Sequence, residues 1–242
     1  NGRLNPYGNI TRAEMITVLL RALGLDDSQG RDLTSFKADI SSFKDVHADD
    51  WYFDEIAMAY KLKLLNGTSG DEMSPNMAVS REQVFAVLLR LMGFDTRDAD
   101  ESALNTFADA GGISAWARPY AAVMVAKGYA KGSDGKLNPL GALTRQEFAQ
   151  LMYNIFGSNY ITAQADADAM SGQTVTGSVM VPAEGITLSS CVVDGDVLIG
   201  DGVGDGTAAL DGVTIRGRLV IRGGGQNTVY LKNTTITGSV VI

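Results

Sequence analysis

Three short segments of the sequence are nearly the same: NITRAEM at residues 9–15, AVSREQV at 78–84 and ALTRQEF at 142–148. Each segment comes directly before apolar residues that recur at intervals of three and four, a spacing typical of an amphipathic helix. A segment that is repeated in this way indicates a repeated structural unit. The three segments therefore predict three related helices, and the arginine of each segment falls at the first helical position.

Residues on either side of that arginine fit a capping box, in which a hydroxyl residue caps the helix and the residue three positions later reaches back to it. Such a cap stabilises a helix by about 0.5–2 kcal/mol. Capping accounts for the hydroxyl and carboxyl or amide residues of the segments, but it does not account for the arginine. The capping pairs are Thr11 with Glu14, Ser80 with Gln83, and Thr144 with Glu147.

The arginines of the three segments are Arg12, Arg81 and Arg145. A cation at the first helical position is disfavoured by roughly 0.3–1 kcal/mol, because the positive end of the helix dipole lies there. An arginine beside free helix-terminal amides can instead bind an anion, through its planar fork and through the backbone donors. The alternative is that these arginines form salt bridges between repeats.

A longer repeat surrounds the second and third segments, and each complete copy reads as helix, glycine-rich loop, extended stretch and helix. In the third copy we expect the first helix to run from Trp116 to Lys127. The first copy contains only its back part, and we expect its front to be supplied from elsewhere. The matching pairs, 64 or 65 residues apart, are Phe43 and Phe107, Asp45 and Asp109, Trp51 and Trp116, Gly67 and Gly132, and Pro75 and Pro139.

Apolar and polar residues alternate strictly after about residue 158, as in VDGDVLI at 193–199 and TIRGRLVI at 214–221. Alternation with a period of two predicts strands. Four such segments recur at intervals of 18 to 22 residues, which predicts a parallel β-solenoid of about four rungs. Since an uncapped end rung exposes its edge, we expect more chain or another chain beyond Ile242.

Composition excludes several functions. The net charge of −8 among 242 residues argues against nucleic acid as a partner. The chain has one cysteine and one histidine, His47, which cannot build a Cys/His metal site. The Gly/Asp-rich stretch 200–212 predicts a turn rather than a calcium loop. No cofactor and no membrane-spanning segment are expected. The strand half offers Arg216, Arg218 and Arg222 without an acidic pair beside them, so no enzyme site is predicted.

Residues 43–94 and 107–157 resemble S-layer homology domains of bacterial surface proteins, and residues 1–25 resemble the back half of another. The resemblance rests on the F-x-D motif, the tryptophan, the glycine-rich loop, the turn before the helix and the T-R-A-E motif. Residues 26–42 then form an insert and residues 158–172 a linker. Residues 173–242 are similar to right-handed β-helix surface proteins. The fold class is thus multidomain α + β, a helical pseudo-threefold bundle followed by a short parallel β-solenoid.

The resemblance implies grooves between neighbouring repeats that bind secondary cell wall polysaccharide, commonly through its terminal pyruvylated sugar, or modified peptidoglycan. The motif arginine would contact the pyruvyl carboxylate, and a tryptophan would cover the sugar. The tryptophans could also be core anchors, and the aspartates could cap turns. The residues that the resemblance assigns to glycan binding are Arg12, Arg81, Arg145, Trp51, Trp116, Asp45 and Asp109.

This chain departs from the family pattern in three places, so three equal grooves are not expected. AVSREQV replaces both the threonine and the glutamate, Lys63 stands where the third repeat has Gly128, and the first repeat lacks its tryptophan. The predicted function is non-covalent anchoring of an extracellular protein to the bacterial cell wall or S-layer. The alternatives are a self-assembling S-layer or filament subunit, with self-association through the solenoid, and a β-helix enzyme that degrades polysaccharide.

Overall fold

A computed structural model of the chain describes residues 5–26, 32–226 and 228–242. These residues form two compact units. The first unit contains the described residues up to Val18 together with Thr34–Asn154, and the second contains those of Leu19–Leu33 together with Ile155–Ile242. The insert predicted at 26–42 lies partly outside the described residues, and its described part includes a 3₁₀ helix at Thr34–Phe36.

The three repeated segments begin helices at the predicted residue, which is the motif arginine in each case. The helices of the repeats are α1 (Arg12–Ala22), α2 (Phe53–Lys61), α3 (Arg81–Leu91), α4 (Arg118–Ala126) and α5 (Arg145–Phe156). Two 3₁₀ helices, Glu101–Thr106 and Ala110–Gly112, come before α4. Apolar residues of α3 lie in the core of the first unit, where Phe85 and Leu88 are fully buried, as is Met92 just after the helix.

Helix α4 begins at Arg118, so the expectation that Trp116 belongs to it was wrong. The amides of Ala117 and Arg118 both donate to the carbonyl of Ser114, which makes the segment before α4 a tight turn. Pro119 lies in the first turn of α4, where its missing N–H leaves no donor unpaired. Trp116 therefore lies in a turn that comes before the helix.

A closed ring of three backbone hydrogen bonds joins the residues that precede the caps. Ile10 donates to Leu143 at 2.9 Å, Leu143 to Val79 at 3.0 Å, and Val79 back to Ile10 at 3.1 Å. All three side chains are buried. The ring brings the three repeats together around one pseudo-threefold axis, because each segment pairs with both of the others.

Three sheets of short parallel strands follow. The first sheet contains β1 (Thr174–Val175), β4 (Val192–Val193), β7 (Thr214–Ile215) and β10 (Thr235–Ile236). The second contains β2 (Val179–Val181), β5 (Val197–Ile199), β8 (Leu219–Ile221) and β11 (Val240–Val241). The third contains β3 (Ile186–Ser189), β6 (Ala208–Asp211) and β9 (Val229–Lys232). The predicted parallel solenoid is confirmed, with about three complete turns.

Strands stack in register because equivalent residues of successive turns lie above one another. Leu188 pairs with Leu210 and Leu210 with Leu231, which places a leucine column inside the solenoid. At one corner the glycines also stack, and a Cβ atom on Gly217 would lie 2.5 Å from the carbonyl oxygen of Gly195. This corner therefore accepts only glycine, since the backbones of neighbouring turns approach too closely for any side chain.

The arginines of the solenoid are paired with aspartates of the preceding turn. Asp196 accepts from Arg218 at 2.6 Å, and Asp201 accepts from Arg222 at 2.7 Å. Asp201 lies in the Gly/Asp-rich stretch, which contains a 3₁₀ helix at Asp201–Val203 and then a tight turn. Among the residues that the structure describes, no cluster of His, Cys, Asp or Glu could hold a metal ion.

The segment at 158–172, which we expect to be a linker, contains helix α6 (Gln164–Asp168). Gln164 covers one edge of the third sheet: its Nε2 donates to the Thr187 carbonyl at 2.9 Å and its Oε1 accepts from the Thr187 amide at 2.8 Å. This side chain thus supplies the bonds that another strand would make. Within the described ranges, no helix is long and apolar enough to cross a membrane.

Candidate functional site

The capping pairs place a carboxylate or an amide beside the first turn of each repeated helix. The amide of Thr11 donates to Glu14 at 3.0 Å, that of Ser80 to Gln83 at 3.1 Å, and that of Thr144 to Glu147 at 2.8 Å. Glu14 and Glu147 also donate their own amides to the hydroxyl of the paired threonine. One carboxylate oxygen of each glutamate remains for another partner.

Two of the motif arginines provide that partner from a neighbouring repeat. Arg81 donates from Nη2 to Glu147 Oε1 at 2.6 Å, and Arg145 donates to Glu14 Oε1. The motif arginine was expected either to bind an anion or to form a salt bridge between repeats. The geometry of Arg81 and Arg145 is that of a salt bridge between repeats. The Arg81 Nε atom is buried and has no hydrogen-bond partner among the described residues.

Arg12 differs from both of these arginines. Its Nε donates to the Met73 carbonyl at 2.9 Å and its Nη2 to the Asn66 carbonyl at 2.8 Å. In the part of the chain that the structure describes, Arg12 forms no ion pair with a carboxylate. Burial lowers the pKa of the Arg12 guanidinium, whereas the charge of Asp45 acts in the opposite direction. Arg12 is thus a cation only 4% exposed and held by backbone dipoles.

The amides of the first helical turn are already occupied, which corrects the hypothesis that they bind an anion. Each turn before a motif supplies carbonyls to the helix of another repeat. Arg12 donates to Met77 and Ala13 to Pro75, Arg81 donates to Gly141 and Glu82 to Pro139, and Arg145 donates to Gly8 and Gln146 to Pro6. An anionic ligand would therefore meet arginine side chains rather than these helix-terminal amides.

Asp45 and Asp109 each hold the turn that precedes a motif. Asp45 accepts from the amides of Met73 and Ser74 at 2.9 and 2.6 Å. Asp109 accepts from Leu137 and Asn138 at 2.8 and 2.7 Å. Ser74 and Asn138 have positive φ angles of 49° and 51°, so the carboxylates stabilise a conformation that these residues rarely adopt. The geometry matches turn capping, the second of the two roles considered.

Both tryptophans lie at the surface. Trp51 is 60% exposed and Trp116 is 48% exposed, so the alternative that they anchor the core was wrong. An exposed tryptophan offers a flat apolar face with a polar edge, which suits contact with a sugar ring or another amphipathic ligand. The two residues occupy equivalent positions, just before α2 and just before α4.

A groove of about 520 Å³ contains Trp116 together with Arg12, and we name it the Arg12 groove. Its size falls in the range of small-molecule sites. All three repeats contribute to it, since Arg12 comes from the first, Gln83 and Arg90 from the second, and Trp116 from the third. None of the described residues that line the groove is acidic: they are Arg12, Leu64, Leu65, Asn66, Gly67, Thr68, Met77, Gln83, Ala86, Val87, Arg90 and Trp116.

A second groove, of about 720 Å³, lies at the equivalent interface of the next two repeats, and we name it the Arg81 groove. Lys131 and Lys136 line it along with Arg81, but so do Asp134 and Glu147. No tryptophan lines it in the described part of the chain, in keeping with the expectation that the first repeat lacks this residue. The two grooves thus differ in charge and in aromatic surface.

Two residues of α3, Glu82 and Arg90, contact the segment around Trp116, and neither follows from the repeated pattern. Glu82, a buried residue of α3, accepts from the Ser114 amide at 3.0 Å and from its hydroxyl at 2.7 Å. Arg90 lies over the ring of Tyr120, 5.5 Å from its centroid, and Tyr120 contacts Trp116 with ring centroids 6.5 Å apart. Arg90 and Glu82 lie outside the capping pattern, so only their position in the three-repeat assembly relates them to the groove.

The S-layer homology domain family model matches residues 42–85 and 106–149. These ranges contain Trp51 and Arg81 of the second repeat and Trp116 and Arg145 of the third. The matched segments correspond to the two complete copies found in the sequence, including the turn, the cap and the motif arginine.

Relatives of the chain include proteins of the bacterial cell surface. The surface-layer 125 kDa protein of Lysinibacillus sphaericus is 37% identical over 62% of this chain, and the cellulosome-anchoring protein of Acetivibrio thermocellus is 26% identical over the same share. The amylopullulanase of Thermoanaerobacterium thermosulfurigenes is 31% identical over 62% of this chain. The chain spans 12%, 33% and 8% of these relatives.

The enzymes among the relatives match this chain through their S-layer homology regions, which favours a non-catalytic role for the shared part. The family match and the surface proteins together place the chain outside the cell, at the cell wall or surface layer. They also support a role in cell-surface anchoring. The chain therefore carries two S-layer homology domains, at residues 42–85 and 106–149, together with a parallel β-solenoid.

Proposed function

We propose that the chain anchors a surface protein without a covalent bond, by binding an anionic cell wall polysaccharide in the Arg12 groove. The observation that carries this proposal is the lining of that groove, which joins Arg12, Arg90 and Trp116 with no acidic residue among its described members. A carboxylate on the glycan would meet two guanidinium groups. Trp116 would cover the apolar face of the adjoining sugar.

The ligand we propose is the terminal pyruvylated sugar of a secondary cell wall polysaccharide, and the alternative wall ligand is modified peptidoglycan. Two features support a small anionic terminus. The groove holds about 520 Å³, which suits one or two sugar units rather than a long chain. Arg12 lines the groove and Met77 and Trp116 contribute apolar surface, so a carboxylate and an apolar substituent could bind side by side.

The cellulosome-anchoring protein of Acetivibrio thermocellus supports the anchoring part of the proposal, because its name describes the anchoring of a cellulosome. The surface-layer relative supports the same location. In this proposal the helical repeats bind the cell wall polysaccharide, and the solenoid is a stalk or an assembly region.

The test is calorimetric titration of the whole chain with a pyruvylated wall-glycan fragment and with the same fragment after removal of the pyruvyl group. Trp116→Ala is compared with Trp51→Ala, which removes another exposed tryptophan that does not line the Arg12 groove. We expect binding to need the pyruvyl group and to weaken about 30-fold in Trp116→Ala, as for an aromatic residue worth ~2 kcal/mol. Unchanged binding by folded Trp116→Ala would contradict the proposal.

A further inference from the structure

The residue at the third helical position is not the same in the three motifs. That residue is Glu14 in α1, Gln83 in α3 and Glu147 in α5. Arg145 is paired with Glu14 and Arg81 with Glu147. Gln83 lines the groove of Arg12, where the corresponding ion pair is absent from the described contacts. An amide thus stands at the third helical position in the Arg12 groove, where the other two motif arginines are paired with a carboxylate.

This exchange changes the charge of the groove. A glutamate carboxylate beside an arginine cancels the positive charge and occupies part of the guanidinium. An anionic ligand must then compete with that side chain for the arginine. Arg12 is instead bonded to the backbone carbonyls of Met73 and Asn66. These groups are neutral, so Arg12 keeps its net positive charge. Arg81 shows the opposite arrangement, since Glu147 pairs with its Nη2 atom while its buried Nε has no partner among the described residues.

We propose that the residue at the third helical position selects which groove binds the anion: Gln83 keeps the Arg12 groove open, and Glu147 closes the Arg81 groove. This inference rests on the proposed function, because it names the residue that controls the same kind of site. It makes Gln83 a specificity-determining residue, although the sequence pattern assigns it only to helix capping.

The exchange can be made in both directions without loss of the cap. Gln83 accepts the Ser80 amide through Oε1, and a glutamate oxygen at this position can accept the same bond. Glu147 accepts the Thr144 amide through Oε2, and the carbonyl oxygen of a glutamine can replace it. Gln83→Glu and Glu147→Gln are therefore matched variants of nearly equal shape and opposite charge change, and circular dichroism and thermal unfolding check that each is folded.

The experiment is calorimetric titration of the full chain and both variants with the pyruvylated glycan fragment. For the wild type we expect one site. We expect Gln83→Glu to weaken that site roughly tenfold or more, equal to ~1.4 kcal/mol. Glu147→Gln should raise the number of glycan fragments bound per chain from about one to about two. The added site should remain in the double variant that also carries Trp116→Ala. Normal affinity in Gln83→Glu, or no added site in Glu147→Gln, would overturn the inference.

A second readout separates failure of this inference from failure of the proposed function. Titration of the chain with sodium acetate, followed by NMR of the arginine Nε–Hε signals, reports on the anion alone. We expect the Arg12 signal to shift in the wild type and the Arg81 signal to shift only in Glu147→Gln. If the glycan does not bind while these shifts occur, the proposed function fails and the selection by Gln83 stands. If the Arg81 signal shifts equally in the wild type, the inference is wrong.

Discussion

The Arg12 groove and the Arg81 groove are built from equivalent positions of one repeat, yet they differ in character. The first contains two arginines, a tryptophan and no acidic residue among its described lining, whereas the second contains three cations balanced in part by Asp134 and Glu147. The capping bond to the third helical residue is kept in both grooves. A repeat can thus change the charge of one groove through a single side chain while it keeps the bonds that build the fold.

Aromatic surface separates the two grooves in a second way. Each groove combines parts of different repeats, and the third repeat provides Trp116 to the Arg12 groove. The described lining of the Arg81 groove has Tyr129 but no tryptophan. The comparison predicts that the Arg12 groove binds a sugar acid more tightly than the Arg81 groove does, and the four changes below test the causes of that difference.

The largest expected effect is on stability. Arg12→Ala should lower the free energy of unfolding by about 2–4 kcal/mol, because it leaves the carbonyls of Met73 and Asn66 without their charged donor in a buried place. Arg81→Ala should cost less than about 1 kcal/mol, since its ion pair with Glu147 is partly exposed to solvent. Urea unfolding of both variants measures the difference. Equal losses would mean that the two arginines play the same structural role.

Arg90→Ala should weaken binding of the anionic glycan about tenfold, equal to ~1.4 kcal/mol, because it removes one of the two cations of the Arg12 groove. Arg97→Ala is the matched control, since this arginine is exposed and pairs with Asp95 outside the groove. Calorimetry at two salt concentrations should also show a weaker salt dependence for Arg90→Ala. A loss of the same size in Arg97→Ala would point to net charge rather than to the groove.

Ser114→Ala should weaken glycan binding by a smaller amount, about three- to fivefold (~0.6–1 kcal/mol), because Trp116 follows the turn that Ser114 fixes through Glu82. The Glu82 carboxylate keeps its bond from the Ser114 amide in this variant, so the turn loosens without opening. Affinity from calorimetry and the emission spectrum of the tryptophans check the result. An altered spectrum with unchanged affinity would show that Trp116 can move without effect on the site.

The smallest expected effect concerns pH. Burial acts to raise the pKa of Glu147, but hydrogen bonds from Thr144 and the pair with Arg81 outweigh it, and the pKa is lowered. A carboxyl group with a lowered pKa in the folded state stabilises the fold above its unfolded pKa, about 4.3, and this contribution is lost as the pH falls through the folded value. Acid unfolding should therefore depend less on pH in Glu147→Gln. An identical pH dependence would show that other carboxyl groups dominate.

Local patterns account for what could be predicted. The capping pairs, the start of α1, α3 and α5, and the strands of the solenoid all follow from residues within a few positions of each other. The predicted start of α4 at Trp116 was wrong because Ser114, at the turn before the helix, is held by Glu82, 32 positions away in the sequence. Arg90 was missed for the same reason, since it lies on the face of α3 that becomes part of the groove only when the third repeat packs beside it.

Lys63 illustrates how the fold overrides a local preference. It stands where the third repeat has Gly128, and it adopts a positive φ of 57° where Gly128 has 71°. The loop thus keeps a left-handed residue at this position in both copies, although a side chain makes this conformation less favourable. Although the residue at this position departs from the family pattern, its backbone angle is nearly the same in both copies.

The amino-acid sequence by itself determined the repeated helices, their caps and the parallel strands. These depend on short-range hydrogen bonds and on the periodicity of apolar residues. Only the tertiary structure decided the partners of the motif arginines, which lie 66 residues away for Arg81 and 131 for Arg145. The physical reason is the closed ring of Ile10, Val79 and Leu143, which brings each motif arginine beside another repeat.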